Sequence, residues 1–437
     1  MREIQVGLIG FGTVGSGLAE VLLAQQERLK KRVGLAIRLA KVADIAIDKL
    51  PAHFAGVELT RDADELFQDP KIDIVVELIG GIEPAKTFIL KAIEAGKHVV
   101  TANKALISQE GWDIFNAAAK KGTEVGFEAC VGGGIPVIKS LKEGLVANKI
   151  LSIMGIMNGT ANYILTRMTE EGAPFDEVLK DAQAQGFAEA DPTYDIEGID
   201  TAHKLAILIT MAYGMKISLD DIAIEGISRI KLVDIDFARE FGYRIKLLAI
   251  SRNHGDHVEA RVHPTMVPEN HLLASISGAY NAIHFTGDMV GNVLLYGLGA
   301  GKMPTGSAVA ADVVDIARNI AANSVGRVPA LSYLPEQITA RRITPIEELS
   351  CPYYFRISAK DEPGVLSTVS GILSQYGISI ESVIQKGRKQ RGPVSIVMRT
   401  HAAPEAAVQK ALTEIDALDA VAEETVKIRI LEDEAAE

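Results

Sequence analysis

The chain opens on a short apolar run, Ile4-Gln5-Val6-Gly7-Leu8-Ile9, with the length of a strand and a stop at glycines. From Val14 the spacing turns helical, with apolar residues at Val14, Leu18, Val21 and Leu22. Lys30, Lys31 and Arg32 then lie where positive charge favours a helix C-terminus. Ile37 to Ala43 and Ile72 to Leu78 read as further strands. Phe88 to Glu94 reads as a helix stopped by Gly96, and His98 to Thr101 as another strand. Strands alternating with helices predict a parallel sheet with right-handed crossovers. Continuous rather than alternating apolar strands predict burial on both faces.

This pattern sets a first domain at 1–130. A second, mixed domain is expected at 131–304, with Pro174, Gly186, Pro192 and Gly198 bounding a loop-rich stretch before a helix from Thr201 to Tyr213. Asp312 to Ala322 is helical again, and 305–325 is expected to complete the first domain. Residues 326–349 carry Pro329, Pro335 and Pro345 without strong periodicity and read as a linker. The last domain, 350–437, has its own order. It runs strand Tyr353–Ala359, helix Val365–Tyr376, strands Ile378–Gln385 and Val394–Thr400, helix Pro404–Ile415 and strand Val421–Ile430, a split βαβ arrangement. An acidic tail, Glu432 to Glu437, is expected to fray.

Composition narrows the classes. At 437 residues the chain fits about three domains. Lys and Arg number 45 against 57 Asp and Glu, a net charge of −12, which argues against a nucleic-acid partner that would demand a basic stripe. Two cysteines, Cys130 and Cys351, exclude a disulfide framework or a cysteine-rich zinc site and point to a reducing compartment. The start, Met-Arg-Glu-Ile-Gln, enters a strand pattern directly and does not read as a signal peptide. No apolar run reaches the roughly 18 residues of a membrane span. The expectation is a cytoplasmic protein without membrane or nucleic-acid partners.

The chemistry gathers at a few motifs. Gly10-Phe11-Gly12-Thr13-Val14-Gly15 follows a strand and opens a helix. The first glycine permits the tight turn, the second lets backbone approach a pyrophosphate, and the third packs helix on strand. The helix N-terminus then offers N–H groups to phosphate, so a dinucleotide, NADP or NAD, is expected. Asp44 is the acid after the second strand, 29 residues beyond Gly15, later than the usual offset of about 20. A long first helix would absorb the excess. Lys41 and Lys49 lie close enough in sequence to meet a 2′-phosphate, so the choice of nucleotide stays open.

Lys104, in Thr101-Ala102-Asn103-Lys104, follows a strand whose carboxyl end should face the ligand crevice. It is either a cofactor or substrate contact or a solvated charge. The bend from Glu128 through Cys130 to Pro136 presents backbone carbonyls, which hard cations prefer, but on these residues alone a domain-crossing turn is the preferred reading. Cys130 could be a nucleophile, but no basic neighbour in sequence would lower its pKa. The stretch from Gly186 to Asp200 holds five acids, among them Glu189 and Asp195. It is a solvated loop or a seat for a substrate ammonium. Asp200 and Lys204, at i and i+4, share a helix face. Asp200 is an N-cap or a working acid, and Lys204 a plain lysine or a general acid/base. His254 and His257 flank a polar turn and read as surface. Tyr296 to Thr305, with Gly301, is a second glycine-rich loop before a helix.

Taken in order, GFGTVG, TANKAL, EACVGGGIP, GFAEADPTYDIEGIDTAHK and GLGAGKMPTG resemble homoserine dehydrogenase in the form with a C-terminal ACT domain, over essentially the full chain. The resemblance implies an α/β fold with a Rossmann-like dinucleotide-binding domain, an α/β substrate and dimerisation domain, and a ferredoxin-like ACT domain. It implies NAD(P)-dependent interconversion of L-aspartate 4-semialdehyde and L-homoserine on the route to threonine and methionine. By resemblance, Lys204 is the catalytic acid/base, Glu189 and Asp200 bind substrate with Asp195 in support, and Lys104 sits near cofactor and substrate. Phe11, Thr13, Val14, Gly186 and Gly301 line the cofactor. Glu128, Val131, Gly133 and Ile135 supply carbonyls to a sodium ion. DEPGVL, with Asp361, Gly364, Val365 and Leu366, looks like an effector loop, with threonine the expected effector. A homodimer or homotetramer is expected. Two other classes remain: a phosphorylating semialdehyde dehydrogenase acting through Cys130, and a non-catalytic amino-acid sensor.

Overall fold

Ile4, Val6 and Leu8 alternate along the first strand, Glu3–Ile9, and all three are fully buried. They share one core with Leu18, Leu22, Val309, Val313 and Ala317, supplied by the helices Thr13–Ala24 and Lys302–Ala321. The opposite face of the strand carries Gly7, where an added Cβ would stand 2.9 Å from Leu66 Cδ2. Both faces are therefore covered, as the unbroken apolar strands predict. The computed structural model describes residues 3–186, 188–385 and 393–432; the acidic tail beyond Glu432 lies outside them.

Two units divide the chain. The first comprises Met1–Met157, Ala202–Asp220 and Asn281–Arg341. Its main sheet has six strands, in the order Glu58–Thr60, Ala36–Ala43, Glu3–Ile9, Ile74–Glu77, His98–Thr101 and Val125–Gly126. Every pairing in it is parallel. This order reverses direction beside the first strand, which opens a crevice at the carboxyl ends of the two strands that diverge there. The helix Lys302–Ala321 packs against Thr13–Ala24 at glycine-to-backbone distance: a Cβ on Gly17 would stand 2.2 Å from Lys302 O. Strands Gly291–Leu298, Tyr280–Gly287 and Ile150–Ile156 lie side by side in that order, the last two antiparallel.

The second unit comprises Asn158–Thr201, Asp221–Tyr280 and Arg342–Glu437. A long antiparallel hairpin, Tyr243–Asn253 with His257–Pro268, continues through Val421–Ile430, Tyr353–Ala359 and Val394–Thr400 to Ile380–Gln385. The helices Val365–Gln375 and Glu405–Asp416 close a separate core over Tyr353, Phe355 and Ile357. The order strand, helix, strand, strand, helix, strand is the one read from sequence.

Several boundaries differ from the sequence reading. The long first helix is two helices, Thr13–Ala24 and Gln26–Val33; the second buries no residue, so no core stripe runs the full length. The strand read from Ile72 begins at Ile74, and the carboxylate of Asp73 just before it accepts from the N–H of Gln5 at 2.9 Å. The stretch read as a featureless linker contains short strands at Thr339–Ala340 and Arg342–Ile343.

Buried ion pairs fasten the second unit. Asp234, fully buried, accepts hydrogen bonds from Arg356 Nε at 2.6 Å and Tyr354 Oη at 2.9 Å. Glu405, also fully buried, accepts from Tyr353 Oη at 2.7 Å and Arg429 Nε at 2.9 Å, and pairs with Lys427. Burial alone would raise the Glu405 carboxyl, but Arg429 and Lys427 overcome it and hold the group at about 2 against an ordinary 4.5. A carboxylate depressed in this way stabilises the fold above its unfolded pKa, and the gain is lost as pH falls through the folded value. Glu405→Gln is expected to cost about 3 kcal/mol at pH 7 in a urea titration, with the gap from the parent closing between about pH 4.5 and pH 2. Equal stabilities at pH 7 would contradict this.

Candidate active site

The glycine turn after the first strand has the geometry a dinucleotide requires. Gly10 takes φ +92°, in the left-handed region, and its N–H bonds Ala43 O at 2.9 Å. Around a Cβ placed on Gly12 nothing stands within 4 Å, whereas one on Gly15 would meet Gly10 O at 2.0 Å. The helix Thr13–Ala24 begins at Gly12 with no side-chain cap, so its first N–H groups face outward for phosphate. Phe11 and Val14 are half-buried beside them, and Thr13 is exposed. Asp44 directly follows the second strand, and its carboxylate accepts from the N–H of Phe11 at 2.6 Å and of Ala46 at 2.7 Å. The late acid therefore ties the turn together. Lys41 pairs with Glu58 at 3.2 Å and Glu65 at 3.3 Å, while Lys49 is exposed.

At the carboxyl ends of two neighbouring strands, Glu77 and Thr101 form a buried network. Thr101 Oγ1 donates to Glu77 Oε2 at 2.7 Å, and Glu77 Oε1 accepts from the N–H of Ile79 at 2.8 Å. Asn103 caps the helix Lys104–Lys121 through the N–H of Leu106 at 3.2 Å. Lys104 is the first residue of that helix, held at the same edge of the sheet as the glycine turn.

The bend at Glu128 to Pro136 has left-handed Gly132 and Gly133, with φ of +75° and +54°. A Cβ on Gly133 would stand 2.4 Å from Gly299 O, so the bend is clamped against the second glycine loop. The Glu128 side chain turns inward and accepts from the N–H groups of Ile138 at 2.8 Å and Lys139 at 2.9 Å. Burial raises its carboxyl pKa. Of the backbone carbonyls at Glu128, Val131, Gly133 and Ile135, that of Glu128 accepts from the N–H of Val131 at 3.4 Å and that of Ile135 from the N–H of Val137 at 2.8 Å; carbonyl oxygen is the donor type a hard cation takes. No group of three or more His, Cys, Asp or Glu side chains suited to a metal occurs among the described residues. Gly301, φ +117°, precedes the helix Lys302–Ala321.

Cys130 is 1% exposed, and its Sγ lies 3.6 Å from Thr101 O. Burial, with Asp312 next, pushes the thiol well above its usual range. That is the reverse of what a nucleophile requires.

The acidic stretch resolves into two behaviours. Asp200 is 3% exposed and half-buried Asp195 lies near it; Asn158 Nδ2 donates to Asp195 Oδ1 at 2.8 Å and to Asp200 Oδ2 at 2.9 Å. Asn158 Oδ1 caps the helix Gly159–Glu171 through the N–H of Ala161 at 2.8 Å. Glu189 is exposed; its backbone carbonyl accepts from Gln183 Nε2 at 3.1 Å, and its carboxylate has no hydrogen-bond partner among the described residues. Gly186, φ +75°, ends the turn after helix Phe175–Ala184. Asp200 is not an N-cap, because its helix begins at Ile199. Lys204 follows one turn later in the same helix, 8% exposed, and its Nζ donates to Met157 O at 2.6 Å. Asn281 Nδ2 donates to that carbonyl too, at 3.0 Å.

Asn158, Asn281 and Glu77 were missed by sequence reasoning. Asn158 had a usable signal, an Asn-Gly-Thr ahead of an apolar helix; the other two had none. His254 and His257 stack at 4.7 Å on the surface, paired with Glu259 and Asp256. In the last domain Asp361, Gly364 and Leu366 are exposed. The Val365 side chain packs into the core of that domain and leaves its backbone for a ligand.

A parallel sheet in this order, with a glycine turn open to phosphate, defines a dinucleotide-binding protein of the Rossmann-like class. Family profiles agree: "Homoserine dehydrogenase, NAD binding domain" matches residues 10–128, "Homoserine dehydrogenase" residues 136–314, and "ACT domain" residues 353–420. The homoserine dehydrogenase of Neisseria gonorrhoeae is 46% identical over 430 residues, 98% of this chain and 99% of that one. A crystal structure of a homoserine dehydrogenase from Thiobacillus denitrificans is similar at TM-score 0.93 and 48% identity, over 99% of both chains. A hyperthermophilic archaeal homoserine dehydrogenase in complex with NADPH matches at TM-score 0.62 and 26% identity, over 72% of this chain and 97% of that one. The chain belongs to the homoserine dehydrogenase family. It is an enzyme with an NAD(P)-binding domain and a C-terminal ACT domain, and no described helix is long and apolar enough to cross a membrane.

Proposed function

We propose that the chain interconverts L-aspartate 4-semialdehyde and L-homoserine with NADP or NAD, and that Lys204 is its acid/base. The observation that carries this reading is a nearly buried ammonium one helical turn after a buried acid to which the Asn158 amide donates. The nucleotide, when bound on the Gly10–Gly15 turn beside Phe11, Thr13 and Val14, supplies the hydride equivalent. As negative charge grows on the carbonyl oxygen, Lys204 Nζ stabilises it and then gives up a proton to it; in the oxidative direction it takes the hydroxyl proton. The 8% exposure of Lys204 keeps competing water away and strengthens that interaction. Asp200 and Glu189 hold the substrate ammonium, with Asp195 in support, and Lys104 holds the substrate or cofactor at the sheet edge. Fixing donor and acceptor in line removes an entropic part of the barrier. Gly186 and Gly301 line the nucleotide. The carbonyls of Glu128, Val131, Gly133 and Ile135 would hold a sodium ion. The alternative of a Cys130 nucleophile has burial and a raised pKa against it.

By this reading residues 1–130 with 305–325 bind nucleotide, 131–304 bind substrate, and 350–437 regulate in a cytoplasmic homodimer or homotetramer. A steady-state assay of homoserine oxidation with each nucleotide tests the activity; no turnover with either would reject it.

Asn158→Ala removes the amide that holds two acids. It is expected to raise KM for homoserine about tenfold or more, with nucleotide KM changed less than about twofold. An unchanged homoserine KM would contradict the placement. Threonine is assigned to the loop of Asp361, Gly364, Val365 and Leu366. Gly364 sits at φ +96°, which a β-branched residue resists. Gly364→Val is expected to raise the threonine concentration for half inhibition about tenfold; an unshifted value would remove the loop from the effector site.

A further inference from the structure

The first unit contains a cavity of about 420 Å³ that plays no part in the reaction described above. Its size falls within the roughly 300–1,000 Å³ of small-molecule sites. Its wall is mainly apolar, with Trp112, Phe115, Ile316 and Leu331 among the lining residues. Most charged groups around it are already engaged. Asp315 pairs with Lys139 at 2.8 Å, Glu143 with Arg327 at 2.9 Å, and Glu124 accepts from both Asn319 Nδ2 at 3.0 Å and Gly326 N at 2.7 Å.

Two lining groups are not engaged in this way. Asp312 spends Oδ2 on the N–H of Glu128 at 2.8 Å, and its Oδ1 has no hydrogen-bond partner among the described residues. Lys142 forms no ion pair among the described residues. Burial, with Glu128 next, pushes the Asp312 carboxyl up to about 7, and a ligand ammonium beside it favours the charged form. A carboxyl oxygen, an ammonium and an apolar wall in one cavity complement a molecule that carries an ammonium, a carboxylate and a hydrocarbon body. The shorter side chain of homoserine would cover less of that apolar wall.

We propose that this cavity is a second amino-acid site, taking an α-amino acid with an apolar side chain. The ligand's ammonium lies on Asp312, its carboxylate on Lys142, and its side chain against Trp112, Phe115, Ile316 and Leu331. The proposal does not rest on the catalytic reading, since it invokes neither Lys204 nor the acids near it.

Trp112 is the single tryptophan of the chain, so its fluorescence reports this cavity. The full-length protein is titrated with leucine, isoleucine, methionine and phenylalanine, and each titration is repeated by calorimetry. At least one is expected to give a saturable change below about 1 mM, with homoserine about tenfold weaker or worse. For leucine, two analogues separate the contacts: 3-methylbutylamine lacks the carboxylate and 4-methylpentanoate lacks the ammonium. Each is expected to bind about tenfold more weakly than leucine, and Lys142→Met is expected to weaken leucine about tenfold. No saturable signal and no heat with any of the four amino acids to about 10 mM would overturn the site. So would either analogue binding as tightly as leucine. The analogue series uses the unaltered protein, so it decides the matter even if the variant does not fold.

Discussion

Lys204→Ala is expected to lower kcat for homoserine oxidation by about a thousandfold, within the range a positioned acid/base supplies. Nucleotide affinity should stay within about twofold of the parent. The reasoning is local. Lys204 is 8% exposed, and its Nζ is held at 2.6 Å by Met157 O, a carbonyl that Asn281 also contacts. An ammonium fixed in this way has little solvent to screen it, so its loss removes both the charge opposite the developing oxyanion and the proton that quenches it. Lys204→Arg separates the two roles. The guanidinium keeps the positive charge but does not give up a proton at accessible pH, so it should recover only a small part of the loss. Near-parent turnover in the alanine variant would remove Lys204 from the chemistry.

The second large effect distinguishes two glycines of one turn. Around a Cβ on Gly12 nothing stands within 4 Å, and its φ of −70° suits any residue. Gly12→Ala should therefore fold with parent stability, yet put a methyl group where backbone must approach the pyrophosphate. Nucleotide affinity is expected to fall about a hundredfold, nearly 3 kcal/mol. Gly15→Ala places its Cβ 2.0 Å from Gly10 O, a backbone atom that cannot swing aside. It should destabilise the fold by about 1–3 kcal/mol as well as weaken the nucleotide. Fluorescence titration of bound nucleotide and urea unfolding read the two effects separately. Parent affinity in Gly12→Ala would mean that the turn does not carry the pyrophosphate.

The elements most legible in the sequence were those with strong local grammar. Ile4 to Ile9 followed by GFGTVG could hardly be anything but strand, turn and helix. The C-terminal order was readable because Gly364 and Gly377 bracket its first helix, and both sit in the left-handed region. Short elements were not readable. Glu58–Thr60 is three residues long. The helix Lys104–Lys121 is long, and its buried stripe of Leu106, Ile107, Ile114, Phe115 and Ala118 was legible but went unread. At the site, residue types could be read and contacts could not. Asp195 and Asp200 were visible as acids, but the amide that binds both comes from Asn158, about forty residues earlier in the chain. Asp44 was visible as a late acid, but its bond to the Phe11 N–H depends on two loops meeting, which no periodicity encodes.

The most direct test of the central claim is a crystal structure of the protein with oxidised nucleotide and homoserine bound together. The account predicts Lys204 Nζ at hydrogen-bond distance, about 3 Å, from the substrate hydroxyl, with the carbon bearing that hydroxyl against the nicotinamide ring. A complex in which substrate and nucleotide meet in that orientation while the Lys204 ammonium stays on Met157 O, out of reach of the hydroxyl, would contradict it.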